Sequence, residues 1–441
     1  MIEKYLVKKI TEPVDWKVTV PGSKSMTNRA LLMAVLSAGT VRVEGVLFSD
    51  DSRHFLACLV ALGFTVEIEE EKKCVTVTGC GGRIPRGEAV IDVGSAGTAA
   101  RFLAAMLGFS DGCYEIRCSA QMKRRPMAEL FDLLSGAGAK ITFLEEEGHL
   151  PVRITGCRYA RADKTAGETP RELSLDITKS TQFLSALLLI APMVPEGMKI
   201  HITSEKTDGS YIRITRKMMQ EFGVSVAFDG RDYEVPCRSS YRKETYMVEP
   251  DMSAACYFYA AAAVTGGRAL VRHVHMDNTQ GDLRFLEVLE HMGCTADDTP
   301  EGVLVTGPAD GALRGITVNM NDFSDQALTL AAIAPFADAP VRIEGIGHIR
   351  GQECDRIHAM QTNLTALGIR CEEEETAATI YPGSPHGGSV ETYDDHRVAM
   401  AFSLVGLRTD GIVIENPACC RKTFENYFTV LSELTGKTVE G

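Results

Sequence analysis

The 441-residue chain lacks an apolar run long enough to cross a membrane. Its longest apolar stretches, 186–194 and 256–264, each hold nine residues, whereas a membrane-spanning helix needs about 18 or more. The first nine residues are charged where a signal peptide would be apolar. We therefore expect a cytoplasmic protein that makes no contact with a membrane.

The chain also lacks the cysteine spacings that are typical of metal sites and structural disulfides. It has thirteen cysteines, an odd number, and no two of them stand in a C-x-x-C pattern; Cys419 and Cys420 are merely adjacent. Zinc ribbons and thioredoxin-like sites use that pattern. The sequence therefore predicts a reducing compartment and no metal site, with most thiols acting as small buried apolar groups.

Positive charge is scarce: 46 basic residues stand against 59 acidic ones, for a net charge of -13, and no long Lys/Arg run occurs. Binding to a nucleic-acid backbone requires a basic face, so we expect no nucleic-acid partner. An anionic ligand must be bound by local basic clusters. The position of each arginine and lysine is therefore informative.

What the chain does have is a repeat. Six segments combine an amphipathic helical pattern with a closing glycine and a β-prone stretch. The closing glycines lie 68 to 85 residues apart and are Gly63, Gly138, Gly223, Gly293, Gly368 and Gly436. Glycine suits the left-handed residue that ends a helix before a strand.

Each repeat contains a second helical segment that is apolar on nearly all sides. These segments are 28–37, 99–108, 182–191, 253–264, 325–334 and 396–407. Such helices are interior helices. The sequence thus predicts an α/β fold of two domains, each with three repeats whose buried helices are central and whose sheets lie outside.

Short loops that open these buried helices carry groups suited to anions. Lys24 and Arg29 flank a Gly-Ser turn, and Gly97 precedes Arg101. Free amides at a helix start, together with lysine or arginine, bind phosphate or carboxylate. One such loop is commonly just a helix cap. Several equivalent loops predict an anion site where the two domains face each other.

Ten motifs in order along the chain resemble those of the enolpyruvyl transferases. They are PGSKSMTNRA (21–30), SDDSR (49–53), GSAGTAAR (94–101), KRRPM (123–127), STQFLSALL (180–188), VEPD (248–251), NDFSD (321–325), ECDR (353–356), YDDHRVAM (393–400) and KTFENYF (422–428). The resemblance implies two inside-out α/β domains of three βαβαββ units each. One domain comprises 1–20 and 241–441, and the other comprises 21–240.

The resemblance implies transfer of the enolpyruvyl group of phosphoenolpyruvate to the 5-hydroxyl of shikimate-3-phosphate, with release of phosphate, in aromatic amino acid synthesis. It further implies a monomer, domain closure, and no metal or organic cofactor. The catalytic residues would be Lys24, Asp325, Glu353 and Lys422, with Asp325 as the base and Glu353 with Lys24 or Lys422 as proton donors. The phosphoenolpyruvate ligands would be Lys24, Gly97, Arg125, Gln182, Arg356, Arg397 and Lys422. The acceptor ligands would be Lys24, Ser25, Arg29, Ser180, Thr181, Gln182, Tyr211, Asp325 and Gln352.

Two positions depart from the family pattern at the site expected for the acceptor's phosphate. Gln352 stands where the family usually has lysine, and Asp208 where it has serine. Each change is expected to cost about 1 to 3 kcal/mol of acceptor binding if uncompensated. Lys206, Arg213 or Arg350 could compensate.

These departures keep alternatives open. A paralogue that acts on another alcohol would show the same pattern. A UDP-N-acetylglucosamine enolpyruvyl transferase is disfavoured because its loop cysteine would fall at Ala120. A non-catalytic scaffold is disfavoured because Lys24, Asp325 and Glu353 are all present.

Overall fold

The structure, a computed structural model, describes residues 3–157, 169–309 and 312–436. The chain divides into two compact units. We call Met1–Pro21 with Pro250–Gly441 the first unit, and Gly22–Glu249 the second unit. Each unit has its own hydrophobic core.

The described residues form 23 strands and 13 α-helices. The strands are β1 (Lys4–Leu6), β2 (Asp15–Val18), β3 (Thr40–Glu44), β4 (Thr65–Glu69), β5 (Cys74–Thr78), β6 (Glu88–Asp92), β7 (Cys113–Arg117), β8 (Lys140–Phe143), β9 (Val152–Thr155), β10 (Arg171–Leu175), β11 (Met198–Ile202), β12 (Ala227–Phe228), β13 (Asp232–Val235), β14 (Thr245–Met247), β15 (Arg268–Arg272), β16 (Thr295–Thr299), β17 (Gly302–Thr306), β18 (Thr317–Asn319), β19 (Val341–Glu344), β20 (Cys371–Glu373), β21 (Ala378–Ile380), β22 (Gly388–Val390) and β23 (Ile412–Glu415). The helices are α1 (Lys24–Leu36), α2 (Asp50–Ala61), α3 (Gly97–Gly108), α4 (Ala120–Lys123), α5 (Ala128–Gly136), α6 (Gln182–Ile190), α7 (Ser210–Glu221), α8 (Met252–Thr265), α9 (Phe285–His291), α10 (Ala327–Ile333), α11 (Arg356–Ala366), α12 (His396–Arg408) and α13 (Tyr427–Leu434).

Five four-stranded sheets follow one topology. In each, a leading strand pairs in parallel with the strand after a buried helix, and that strand pairs antiparallel with a hairpin. The second unit has the orders β14-β3-β5-β4, β6-β7-β9-β8 and β10-β11-β13-β12, and the first unit has β2-β15-β17-β16 and β18-β19-β21-β20. The predicted βαβαββ repeat is thereby confirmed.

The first and fourth repeats exchange their leading strands. β2, near the start of the chain, pairs with β15, so that Trp16 lies opposite Ala269. β14 pairs with β3 in the second unit. The division between the units therefore falls between Glu249 and Pro250, whereas the sequence assigned residues from 241 onward to the first domain; the pairing of β14 with β3 accounts for the difference.

The sixth sheet is completed by the start of the chain. β22 and β23 are parallel, and β1 pairs antiparallel with β23. In the described part of the chain this sheet has three strands. The β-prone stretch predicted after Gly436 lies outside the described residues.

The apolar helices lie inside each unit, as the sequence predicts. In the second unit α1, α3 and α6 pack on one another, and in the first unit α8, α10 and α12 do the same. Every residue of α3 is buried. All six closing glycines have positive φ, between +63° and +106°, which is the left-handed conformation that glycine adopts without strain.

None of the described helices is long and apolar enough to span a membrane.

The cysteines differ widely in accessibility, which gives a first test of the fold. All thirteen are free; Cys237 is exposed, whereas Cys256 and Cys420 are buried. Burial raises the pKa of both buried thiols well above the ordinary value, and the thiolate is the reactive form. We expect brief alkylation at pH 8, read by peptide mass spectrometry, to label Cys237 and to reach Cys256 and Cys420 only in denaturant. Equal labelling of Cys256 and Cys237 in the folded protein would contradict this packing.

Candidate active site

In the second unit, Lys24 begins α1 and lies beside a buried carboxylate. Its Nζ is 3.3 Å from Oδ2 of Asp51, whose side chain is 2% exposed. Asp51 belongs to the first turn of α2. Asp51 was not among the predicted site residues, because an acidic residue at this position is as readily a helix cap or an ion-pair partner between repeats as a catalytic group. The structure adds it to the surroundings of Lys24.

Arg29 is a buried cation with neutral partners. Its guanidinium donates to Thr215 Oγ1 (2.8 Å), Ser185 Oγ (3.3 Å) and the carbonyl oxygens of Ser25 (2.9 Å) and Tyr211 (3.3 Å). Burial lowers the pKa of Arg29 to about 10. A cation that is held only by neutral oxygens favours a nearby anion.

Two guanidinium groups crowd the start of α3. A Cβ atom placed on Gly97 would lie 2.6 Å from Arg125 Nη1 and 2.7 Å from Arg101 Nη1. Arg101 Nη1 also donates to the carbonyl of Gly97, at 3.1 Å. Glycine at 97 is therefore what allows both cations to approach the helix start. Arg101 was not among the predicted ligands, although the sequence placed it one helical turn after Gly97, just after a loop suited to anions.

The start of α6 presents an amide with an unsatisfied oxygen. The backbone N–H of Gln182 donates to Ser180 Oγ at 3.2 Å, and Thr181 precedes the helix. Oε1 of Gln182 is buried and accepts no hydrogen bond within the described residues. An unsatisfied buried acceptor is costly. A ligand hydroxyl or ammonium group would remove that cost.

In the first unit, Arg356 is the centre of an ion-pair network. Its side chain is 2% exposed, and all five of its N–H groups are used. They donate to Asp395 (Nε, 2.8 Å; Nη2, 3.3 Å), Asp325 (Nη1, 3.0 Å), Glu353 (Nη2, 2.9 Å) and Gln352 Oε1 (Nη1). Burial alone would lower the pKa of Arg356, but the three carboxylates outweigh it and raise that pKa.

Two further cations share the carboxylates of Arg356. Arg397 Nη2 donates to Asp325 Oδ2 at 2.8 Å, and Lys422 Nζ lies 2.9 Å from Glu353 Oε1. Asp325 and Glu353 thus each lie between two cations. Such a group can take or give a proton while the cations hold an anionic reactant.

Asp395 is a site residue that sequence reasoning missed. It caps α12 by accepting from the backbone N–H of Arg397 at 2.9 Å, and it also binds Arg356. Its side chain is fully buried. The sequence signal for Asp395 was its position two residues before Arg397. A residue that only caps the helix would stand at the same position, so the signal did not distinguish the two roles.

Both residues that depart from the family pattern, Asp208 and Gln352, accept hydrogen bonds in the structure. Asp208 accepts from Arg213 Nη1 (3.0 Å) and from the hydroxyl of Tyr233 (3.2 Å). Its charge is therefore compensated by Arg213, one of the three cations that the sequence offered. Gln352 is neutral and accepts a hydrogen bond from Arg356, so this position adds no positive charge to the site.

Arg350 forms its hydrogen bonds with groups other than Gln352. It is bound to Asp355 and Glu373 and to two backbone carbonyls. It therefore does not replace the lysine that Gln352 lacks.

Across the described ranges, no group of three or more His, Cys, Asp or Glu residues is arranged to hold a metal ion.

Comparison with known proteins places this geometry in a family. The model of the family described as EPSP synthase (3-phosphoshikimate 1-carboxyvinyltransferase) matches residues 8–431. The 3-phosphoshikimate 1-carboxyvinyltransferase of Trichormus variabilis is 41% identical over 429 residues, which is 97% of this chain and 98% of that one. The protein of the same name from Sulfurovum is 39% identical over 426 residues, 96% of this chain and 97% of that one.

Solved structures agree with the sequence comparisons. The EPSP synthase of Acinetobacter baumannii superimposes with a TM-score of 0.80 at 25% identity, over 99% of this chain and 98% of that one. The enolpyruvyl transferase NikO from Streptomyces tendae has a TM-score of 0.71 at 16% identity, over 98% of this chain and 97% of that one. The second likeness concerns the fold alone.

Proposed function

The chain belongs to the EPSP synthase (3-phosphoshikimate 1-carboxyvinyltransferase) family, and on that basis we propose that its two substrates are phosphoenolpyruvate and shikimate-3-phosphate. It is a transferase that moves the enolpyruvyl group to the 5-hydroxyl of the acceptor and releases phosphate. Its thirteen free thiols suit a reducing compartment, and we extend the proposal to the cytoplasm.

The observation that carries the substrate proposal is the network in which Asp325 and Glu353 lie between cations. The phosphoenolpyruvate ligands in our proposal are Lys24, Gly97, Arg125, Gln182, Arg356, Arg397 and Lys422. Arginine suits this task because its planar fork matches carboxylate and phosphate with paired hydrogen bonds.

Binding to Arg356 requires an exchange of hydrogen bonds, since all five N–H groups are occupied. Gln352 is the one neutral partner, and a neutral acceptor binds a guanidinium more weakly than a carboxylate does. We therefore propose that the ligand's anionic oxygen replaces Gln352 Oε1. The released amide is then free to bind the acceptor.

In the proposed chemistry, Asp325 takes the proton of the acceptor hydroxyl as its oxygen attacks C2 of phosphoenolpyruvate. Glu353, with Lys422 or Lys24, donates a proton to the methylene carbon, which gives a tetrahedral ketal that still carries the phosphate. Loss of a methyl proton then expels phosphate and restores the double bond. The acceptor is held by Lys24, Ser25, Arg29, Ser180, Thr181, Gln182, Tyr211, Asp325 and Gln352.

Phosphate release from phosphoenolpyruvate tests the proposal. We expect release only when shikimate-3-phosphate is added, with the enolpyruvyl adduct found by mass spectrometry. Asp325→Asn should lower kcat at least about 100-fold, because the attacking hydroxyl loses its base. Loss of phosphate release in this variant would also show that a contaminating phosphatase is not its source. Binding of phosphoenolpyruvate without turnover of shikimate-3-phosphate would mean that the acceptor is a different alcohol.

A further inference from the structure

A buried carboxyl group, Asp282, lies next to the Asp325–Arg397 ion pair but has no part in the proposed substrate contacts. It belongs to a 3-10 turn, Gly281–Arg284, that leads into α9. The residue is 6% exposed. A buried carboxylate is costly unless it is paired or hydrogen-bonded, so its partners indicate what holds it there.

Both hydrogen-bond donors to the Asp282 carboxylate, among the described residues, are neutral. Gln326 Nε2 donates to Oδ2 at 2.8 Å, and the hydroxyl of Ser253 donates to the same oxygen. Gln326 Oε1 in turn accepts from Thr329 Oγ1 at 2.9 Å. The amide of Gln326, the residue directly after Asp325, is thus held in one orientation.

The hydroxyl of Ser253 links Asp282 to the ion pair. A hydroxyl has one proton, so Ser253, while it donates to Asp282, presents its lone pairs to other donors. Arg397 Nη2 points to Ser253 Oγ at 3.4 Å and donates to Asp325 Oδ2 at 2.8 Å. The ionised Asp282 therefore determines which way the Ser253 hydroxyl points.

We propose that Asp282 is a positioning residue for enolpyruvyl transfer: its carboxylate orients the Ser253 hydroxyl and the Gln326 amide, and through Ser253 it holds the Arg397 guanidinium against Asp325. The inference rests on the proposed function for the roles of Arg397 and Asp325. Asp282 contacts neither substrate itself.

The charge of Asp282 makes this positioning of Arg397 depend on pH. Burial and, after it, Asp325 raise the pKa of Asp282 to about 6, against the opposing effect of Arg397. Among the described residues, Asp325 and Arg397 are the charged groups that act most strongly on this pKa; on α8 the thiol of Cys256, whose pKa burial raises, stays neutral. As the pH falls through about 6, Asp282 gains a proton and becomes a donor. The neutral carboxyl accepts a weaker hydrogen bond than the carboxylate and can itself donate to Ser253 Oγ, so the Ser253 hydroxyl is no longer held in one orientation and Arg397 loses its support.

Asp282→Asn tests the proposal, because asparagine keeps the shape and removes the charge. We expect kcat/KM for phosphoenolpyruvate at pH 7.5 to fall about 10- to 100-fold, as misplaced binding groups commonly cause. We also expect the decline of wild-type activity below about pH 6 to be absent from the variant. Asp282→Glu, which restores the charge, should recover part of the loss. Asp277→Asn, the same change at an exposed position, should behave as wild type.

The Ser253→Ala variant tests the link directly. If Asp282 acts through Ser253, the double variant should lose no more activity than the more damaging single variant. Additive losses, or wild-type kinetics and an unchanged pH profile in Asp282→Asn, would overturn the proposal. If Asp282→Asn does not fold, the pH profile of Ser253→Ala tests the same link. In that variant too, the decline of activity below about pH 6 should be absent.

A spectroscopic measurement separates this inference from the proposed function. The Nε–Hε resonance of Arg397, assigned with Arg397→Lys, should shift with a midpoint near pH 6 in the wild type and stay constant in Asp282→Asn. The same shift in both proteins would overturn the inference whatever the enzyme turns over. Absence of phosphoenolpyruvate binding with the expected shift present would refute the proposed function alone.

Discussion

Replacing Arg356 with alanine is expected to lower the free energy of unfolding by about 3–5 kcal/mol, because Asp325, Glu353 and Asp395 lose the buried cation that they share. The chain offers a convenient probe, since Trp16 is its single tryptophan. Trp16 is buried in the core of the first unit, which is the unit that contains Arg356. Urea unfolding followed by its fluorescence measures the change.

Arg370→Ala is the matched control. This residue pairs with Glu372 on the surface of the same unit, and exposed ion pairs contribute little to stability. An equal loss of stability in Arg370→Ala and Arg356→Ala would contradict the buried network.

Arg356→Lys separates charge from geometry. An ammonium keeps the positive charge but has three N–H donors on one atom, against five in the guanidinium fork. We expect this variant to fold and yet to lose about 100- to 1,000-fold in kcat/KM for phosphoenolpyruvate, which is the size of effect seen when one donor that stabilises a transition state is removed. Near-wild-type kinetics would exclude Arg356 from substrate binding.

The second large effect is expected at Gly97. In Gly97→Ala the added methyl group would overlap the ends of Arg101 and Arg125. Both are flexible side chains, so the fold adapts while the two cations move away from the ligand. We expect the KM for phosphoenolpyruvate to rise about 10- to 100-fold, with a smaller change in kcat because ground-state binding is what is lost.

Gly136→Ala is the control for Gly97→Ala. Gly136 ends α5, and a Cβ there would meet nothing within 4 Å. Its kinetics should match the wild type. If Gly97→Ala behaves in the same way, Arg125 does not bind phosphoenolpyruvate from the position described.

The repeats show what local sequence can predict. The six buried helices follow from runs of small and apolar residues, and the six positive-φ glycines from their place at helix ends. Both signals act within a few residues of the chain. The exchange of β2 and β14 is different, because it pairs strands that lie far apart in sequence, and no local pattern encodes such a partner.

The site shows the same division. Arg125, Arg356 and Arg397 were predicted as ligands from their motifs, whereas the burial of Arg29 among neutral oxygens was not. The pairing of Asp208 with Arg213 decided which of three candidate cations compensates that carboxylate.

By itself, then, the sequence determined the α/β repeats, the helix ends and the motifs of the family, because periodicity, glycine conformation and residue chemistry are local properties. The tertiary structure alone decided that Asp395 and Gln352 converge on Arg356, that Lys24 lies beside Asp51, and that Asp282 is linked to Arg397 through Ser253. A side chain's charge state and hydrogen-bond partners depend on distances to groups from other repeats, and only the packed helices bring those groups together.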